Sequence, residues 1–288
     1  MSLQEQNHTG GNFTDALPRA GRRWVIPGIA AAALLLMFFY ALTDGAFVNQ
    51  DPLLAAGTWS GYALCHRLTE RSFTVYGHQF PLCARCTGMY LGAALTILTL
   101  FLAGRARQVL LPRRGIFIAL LLLLALMGID GINSYSHFFP DAPHLYEPRN
   151  WLRLATGMGA GLTLGVITFA ALAQALWRWP RYAPLLENWR ELAGLILLGF
   201  ITAVLVLSNL QPLLYVLALA SSAGLIFVVA ALNTAVVLVF LRSDGQSETW
   251  KEAARPLLAG LILAVMELAA ISTVRWAMTG TLTGFPGF

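Results

Sequence analysis

All three cysteines of this 288-residue chain fall in one stretch, as Cys65-His66 and Cys83-Ala84-Arg85-Cys86. Pro81 precedes the Cys-x-x-Cys and an apolar run follows it, so Cys83 and Cys86 are expected in the first turn of a helix, three apart and on one face. A helix N-terminus and Arg85 both favour thiolate over thiol. Thiolate is the form that metal binding and disulfide exchange require. Three chemistries stay open. Cys65, Cys83 and Cys86 with His66 would make a Cys3His tetrahedron suited to zinc or iron; neighbours in an extended chain point apart, so His78 is the alternative fourth ligand. A Cys-x-x-Cys with a third cysteine also suits a membrane thiol–disulfide oxidoreductase. A structural disulfide with one spare cysteine is the plainest reading.

Other polar residues bear on the choice. Asp130, Asn133, Ser134 and His137 share one helical face at a membrane boundary. A carboxylate within an apolar span is a functional candidate, as ligand, acceptor or general base, and Arg153 is its expected partner. Asp130 and Arg153 are therefore the catalytic candidates, with no reaction assigned. His144 lies in a proline-rich loop and reads as a solvated side chain. Glu267 and Arg275, eight residues apart on one run, each call for an interhelical partner.

The elements that position these residues are membrane spans. Hydrophobic residues make up 57% of the chain and charged residues 11%, against about 25% charged in soluble domains. A water-soluble fold is excluded, and the expected class is an all-α polytopic membrane protein. Seven crossings are expected, at 24–42, 87–103, 115–133, 152–177, two within 192–241, and 256–276. The 192–241 run is uncharged and as one helix would reach about 75 Å; Ser208-Asn209-Leu210-Gln211-Pro212 must turn it back. The apolar segment 53–64 is too short to span and is expected in the interface or re-entrant.

Residues 1–23 read as a disordered inner tail, and the run after them as a signal anchor rather than a cleaved leader. Residues 24–177 form a core with the Cys/His loop, and 178–288 a three-span extension. Lys251 is the one lysine among 19 Lys and Arg. With the N-terminus inside, only Arg67, Arg71, Arg85, Arg149, Arg153 and Arg275 fall outside, which satisfies the positive-inside rule. The C-terminus and the Cys/His site would then face out. The net charge of +5 belongs to span ends facing lipid headgroups, so no nucleic-acid partner is expected. Gly88 and Gly92 form one small-residue face, and Gly157, Gly161 and Gly165 another, each allowing a close helix approach. These faces and the C-terminal spans are the expected surfaces for membrane-protein partners. No P-loop, nucleotide fingerprint or serine-hydrolase elbow occurs.

The string Cys65-His66-Arg67, then Arg71-Ser72-Phe73, then Gly77-His78-Gln79-Phe80-Pro81-Leu82-Cys83-Ala84-Arg85-Cys86-Thr87-Gly88-Met89-Tyr90-Leu91-Gly92, resembles the prokaryotic integral-membrane family called domain of unknown function 2085. So do Asp130-Gly131 and Asn150-Trp151-Leu152-Arg153-Leu154-Ala155-Thr156-Gly157. The resemblance spans about residues 62–165; a glutamine is commoner in the family where Asn133 stands. It groups Cys65, His66, Cys83, Cys86, Asp130, Asn150 and Arg153 as one site, without naming a reaction; the expected location of the multi-pass chain is a bacterial plasma membrane. The favoured expectation is an outward-facing zinc or iron site. The alternatives are the oxidoreductase and a non-enzymatic subunit of a larger membrane complex.

Overall fold

The computed structural model describes residues 51–283, except 138, 140–142 and 144. The inner tail, the first expected span and His144 lie outside the described residues. Among those described, six helices are long and apolar enough to cross a membrane, and the chain is an all-α polytopic membrane protein.

A short helix opens the described chain. In α1 (Pro52–Leu64), Asp51 accepts the Leu53 N–H at 2.8 Å and Pro52 occupies the first turn, where its missing N–H costs nothing. This segment is thirteen residues long, too short to span. It is packed inside the bundle against α6, α7 and the hairpin described next, with Tyr62 fully buried. A 3-10 turn (Thr69–Arg71) leads into β1 (Ser72–Val75) and β2 (His78–Cys83), an antiparallel hairpin. Its two-residue turn, Tyr76-Gly77, has both φ angles positive, which matches the twist of the flanking strands.

The spans follow in alternation: α2 (Ala84–Leu102), α3 (Arg114–Ser136), α4 (Asn150–Leu176), α5 (Trp189–Leu207), α6 (Gln211–Phe240) and α7 (Trp250–Thr279). The expected turn at 208–212 separates α5 from α6, with Asn209 in the left-handed region at φ 57°. At the bundle end away from the cysteines, β3 (Gln108–Leu110) and β4 (Arg181–Pro184) pair in parallel. Arg105 forks onto Glu191 at 2.7 and 2.8 Å at that end, and the hydrogen bond holds the guanidinium above its usual range.

The central helix is α4, buried along most of its length, whereas α3 turns leucines and isoleucines such as Ile118, Leu122 and Ile132 outward. That is the pattern of a helix facing lipid. The two glycine faces meet each other: a Cβ on Gly92 would stand 2.6 Å from the Met158 carbonyl oxygen, and one on Gly165 2.8 Å from that of Ala93. The close helix approach expected of these glycines is made within the bundle, along an internal α2–α4 seam, because small residues let two backbones approach.

Candidate metal centre

Cys65 caps the C-terminus of α1, where the backbone turns extended at φ −111° and ψ 139°. Arg67, in the left-handed region at φ 48°, helps swing the chain into the hairpin, whose second strand brings Cys83 back opposite Ser72. Cys83 is therefore the last residue of β2 and the N-cap of α2, not part of the first helical turn as expected; only Cys86 lies in that turn. The three sulfurs lie within 4.8 Å of one another and none is disulfide-bonded. The Cys83 N–H donates to Cys65 Sγ at 3.2 Å.

Electrostatics divide the sulfurs unequally. The Cys65 thiol is pushed up to about 12, chiefly by its hydrogen bond to the Cys83 sulfur. Cys83 is held well below the usual thiol range by hydrogen bonds from Cys65 and Cys86, with the Arg85 charge assisting. The two shifts have opposite signs because the hydrogen bond between the sulfurs favours the charged form of Cys83 and the neutral form of Cys65.

Neither expected histidine joins the sulfurs: among the described residues the group holds the three cysteines alone. His66 points away, as a neighbour of Cys65 in extended chain must, and is exposed. His78 opens the strand that Cys83 closes, so about 17 Å of strand separates them at 3.4 Å per residue.

Asp130 is fully buried at the end of α3, and its partner is Arg85, not Arg153. Arg85 donates through Nε at 3.0 Å and through Nη2 to the same carboxylate oxygen, while Nη2 also reaches Ser134 Oγ at 2.9 Å. Gly157 makes this pairing feasible: a Cβ there would collide with the Arg85 carbonyl, so only glycine lets Arg85 sit between α3 and α4. Arg153 instead donates to Asn150 Oδ1 at 2.9 Å. The other Asp130 oxygen accepts from the Tyr146 hydroxyl at 2.9 Å. Asn133 holds that loop in place by accepting the Leu145 N–H at 2.8 Å and donating to the Tyr146 carbonyl at 2.9 Å. Asn133 and Ser134 are buried with Asp130; His137 Nδ1 lies 3.0 Å from the Asn133 carbonyl.

Two further arginines flank Cys65, and neither was assigned a place at the site from the sequence. Arg275 donates to the Tyr62 and Cys65 carbonyls, both at 2.6 Å, and stacks 4.1 Å from the Tyr62 ring centroid. Arg67 donates to Leu282 and Phe80 carbonyls at 2.8 and 3.3 Å, and burial lowers its guanidinium to about 10. The signals for Arg275 were its charge within an apolar run, which called for an interhelical partner, and its place at the cysteine end of its span. Glu267, in the same helix, accepts from Asn233 of α6 at 3.0 Å, the interhelical partner its position called for.

Residues 65–167 match the family described as Predicted membrane protein (DUF2085). An uncharacterized protein of Methanothermobacter thermautotrophicus is 39% identical over 105 residues, which cover 84% of that protein and 36% of this chain. The chain belongs to this family. An uncharacterized protein of Methanocaldococcus jannaschii is 30% identical over 101 residues, 58% of its length and 35% of this chain. No solved structure matches. The DUF2085 segment holds the three cysteines, Arg85, Asp130 and Arg153, and ends inside α4; Arg275 and its helix lie outside it.

Proposed function

We propose that this membrane protein holds one zinc or iron ion through Cys65, Cys83 and Cys86 at the outer face of the plasma membrane. One observation carries the reading: all three sulfurs converge, whereas a disulfide needs only two. Tetrahedral zinc with bonds of about 2.3 Å sets its sulfurs about 3.8 Å apart, a spacing the cluster can adopt. The backbone N–H on Cys65 Sγ is the kind of bond that steadies a coordinated thiolate. Three protein ligands leave a fourth position for water or substrate, the arrangement of a catalytic rather than a closed structural site. Asp130, locked between Arg85 and Tyr146, orients Arg85 beside the sulfurs rather than serving as a ligand. The outer placement follows from the arginine distribution.

The test is metal analysis of the purified full chain and its three Cys→Ser variants. About one zinc or iron per wild-type chain, lost in each variant, is the expected result. Metal-free protein with a Cys83–Cys86 disulfide that mild thiol opens would replace this reading with the oxidoreductase, because catalytic disulfides are the readily reduced ones.

A further inference from the structure

Three guanidiniums gather on one flank of the cysteines. Arg71, Arg85 and Arg153 arrive there from three elements. The Asn150 amide donates to the Glu70 carbonyl at 3.0 Å, tying the start of α4 to the turn that ends in Arg71. The same Asn150 accepts Arg153 through Oδ1. One turn further along α4, Gly157 packs on the Arg85 backbone. Arg71 and Arg153 both lie within electrostatic reach of Arg85 and Cys83.

The donors on this flank are not all used. Arg153 is 7% exposed, and its Nε is buried without an acceptor among the described residues. Arg85 spends Nε and Nη2 on Asp130 and Ser134, and its Nη1 makes no hydrogen bond among the described residues. Three thiolates around a divalent ion carry one net negative charge, Asp130 engages Arg85 and Glu70 acts on Arg71, which leaves the Arg153 Nε as the buried donor without an acceptor among the described residues. Buried guanidiniums call for paired anions.

We propose that Arg71, Arg85 and Arg153 form a binding site for an oxyanion, a phosphate or carboxylate group, beside the three sulfurs. The class follows from the donors: planar guanidinium forks present paired N–H groups that match the oxygens of these anions. The inference rests on the metal reading for one point, that the bound anion faces the open coordination position. The arginine site itself is there with or without metal. Its ligand has two sources, a phospholipid headgroup from the surrounding leaflet or a free anion from water.

The test measures thermal unfolding of the full chain, zinc-loaded and chelator-treated, with metal content assayed in each sample. In phosphatidylcholine nanodiscs, inorganic phosphate is titrated against chloride at constant ionic strength; a second arm uses phosphatidylglycerol nanodiscs without phosphate. Stabilisation by phosphate marks a free anion, and stabilisation by phosphatidylglycerol alone marks a headgroup. Either supports the site. In Arg71→Gln or Arg153→Gln, affinity for the stabilising anion should fall about tenfold or more. Arg71 lies outside the spans, so its variant reports even if Arg153→Gln fails to fold. No stabilisation in either arm, or stabilisation that survives in Arg71→Gln, overturns the site. Protein that retains no zinc after loading yet is stabilised by phosphate sinks the metal reading alone.

Discussion

The Cys65 thiol is pushed up while that of Cys83 is held down, and this asymmetry sets how the site meets a metal. At neutral pH Cys65 keeps its proton, being pushed up to about 12, whereas hydrogen bonds from Cys65 and Cys86 hold Cys83 well below the usual thiol range. A metal ion must displace the Cys65 proton, so protons compete with it and affinity rises with pH. Between about pH 6 and about pH 8 the apparent zinc affinity should climb about tenfold per pH unit for each displaced proton, measured by competition with a chromophoric chelator. A pH-independent affinity would mean that Cys65 does not bind the ion. Asp130 plays a different part. Asp130→Asn leaves Arg85 facing a neutral amide, and the fold should lose about 2–4 kcal/mol; Arg85 keeps 23% of its side chain exposed, which holds the loss below that of a wholly buried pair. The double variant Asp130→Asn, Arg85→Gln should recover part of that loss in detergent unfolding. Recovery with Arg153→Gln instead would return the pairing to Arg153.

The elements tie packing to chemistry along the α2–α4 seam. Gly157 touches the backbone of Arg85, which lies between Cys83 and Cys86 in sequence, so helix spacing and sulfur spacing are mechanically joined. Gly157→Ala should push the start of α2 away from α4, destabilise the fold by about 1–3 kcal/mol and lower metal occupancy together with it. Metal content that holds while stability falls would separate the seam from the site. The spans themselves were legible in the sequence because uncharged runs of about 20 residues leave one reading in lipid. The hairpin was not: Tyr76 takes a left-handed conformation that its residue type rarely adopts, so the turn carried no Asn-Gly or Asp-Gly signature. The burial of α1 was equally silent, since thirteen residues suit an interface as well as an interior. What covers α1 is α6 and α7, a fact of tertiary packing.

At the scale of the whole molecule, the DUF2085 segment supplies the sulfurs, while the C-terminal spans brace them. Arg275 grips the carbonyls of Tyr62 and Cys65 from more than 200 positions away, and the Tyr62 hydroxyl donates to the Thr281 carbonyl at 2.7 Å. The three spans expected as an extension or docking bundle thus reach back to the cysteine end. The cysteines stood out in the sequence because they are adjacent along the chain; the partners of Arg85 and Arg275, and the part of Tyr146, did not, because those contacts join residues distant in sequence. The most direct test of the central claim is alkylation of the intact chain, purified without reductant and read by mass spectrometry with and without chelator. The account predicts three thiols that resist alkylation until metal is removed and then all react. Three thiols alkylated rapidly in metal-free protein, or a disulfide between any two of them, would contradict it.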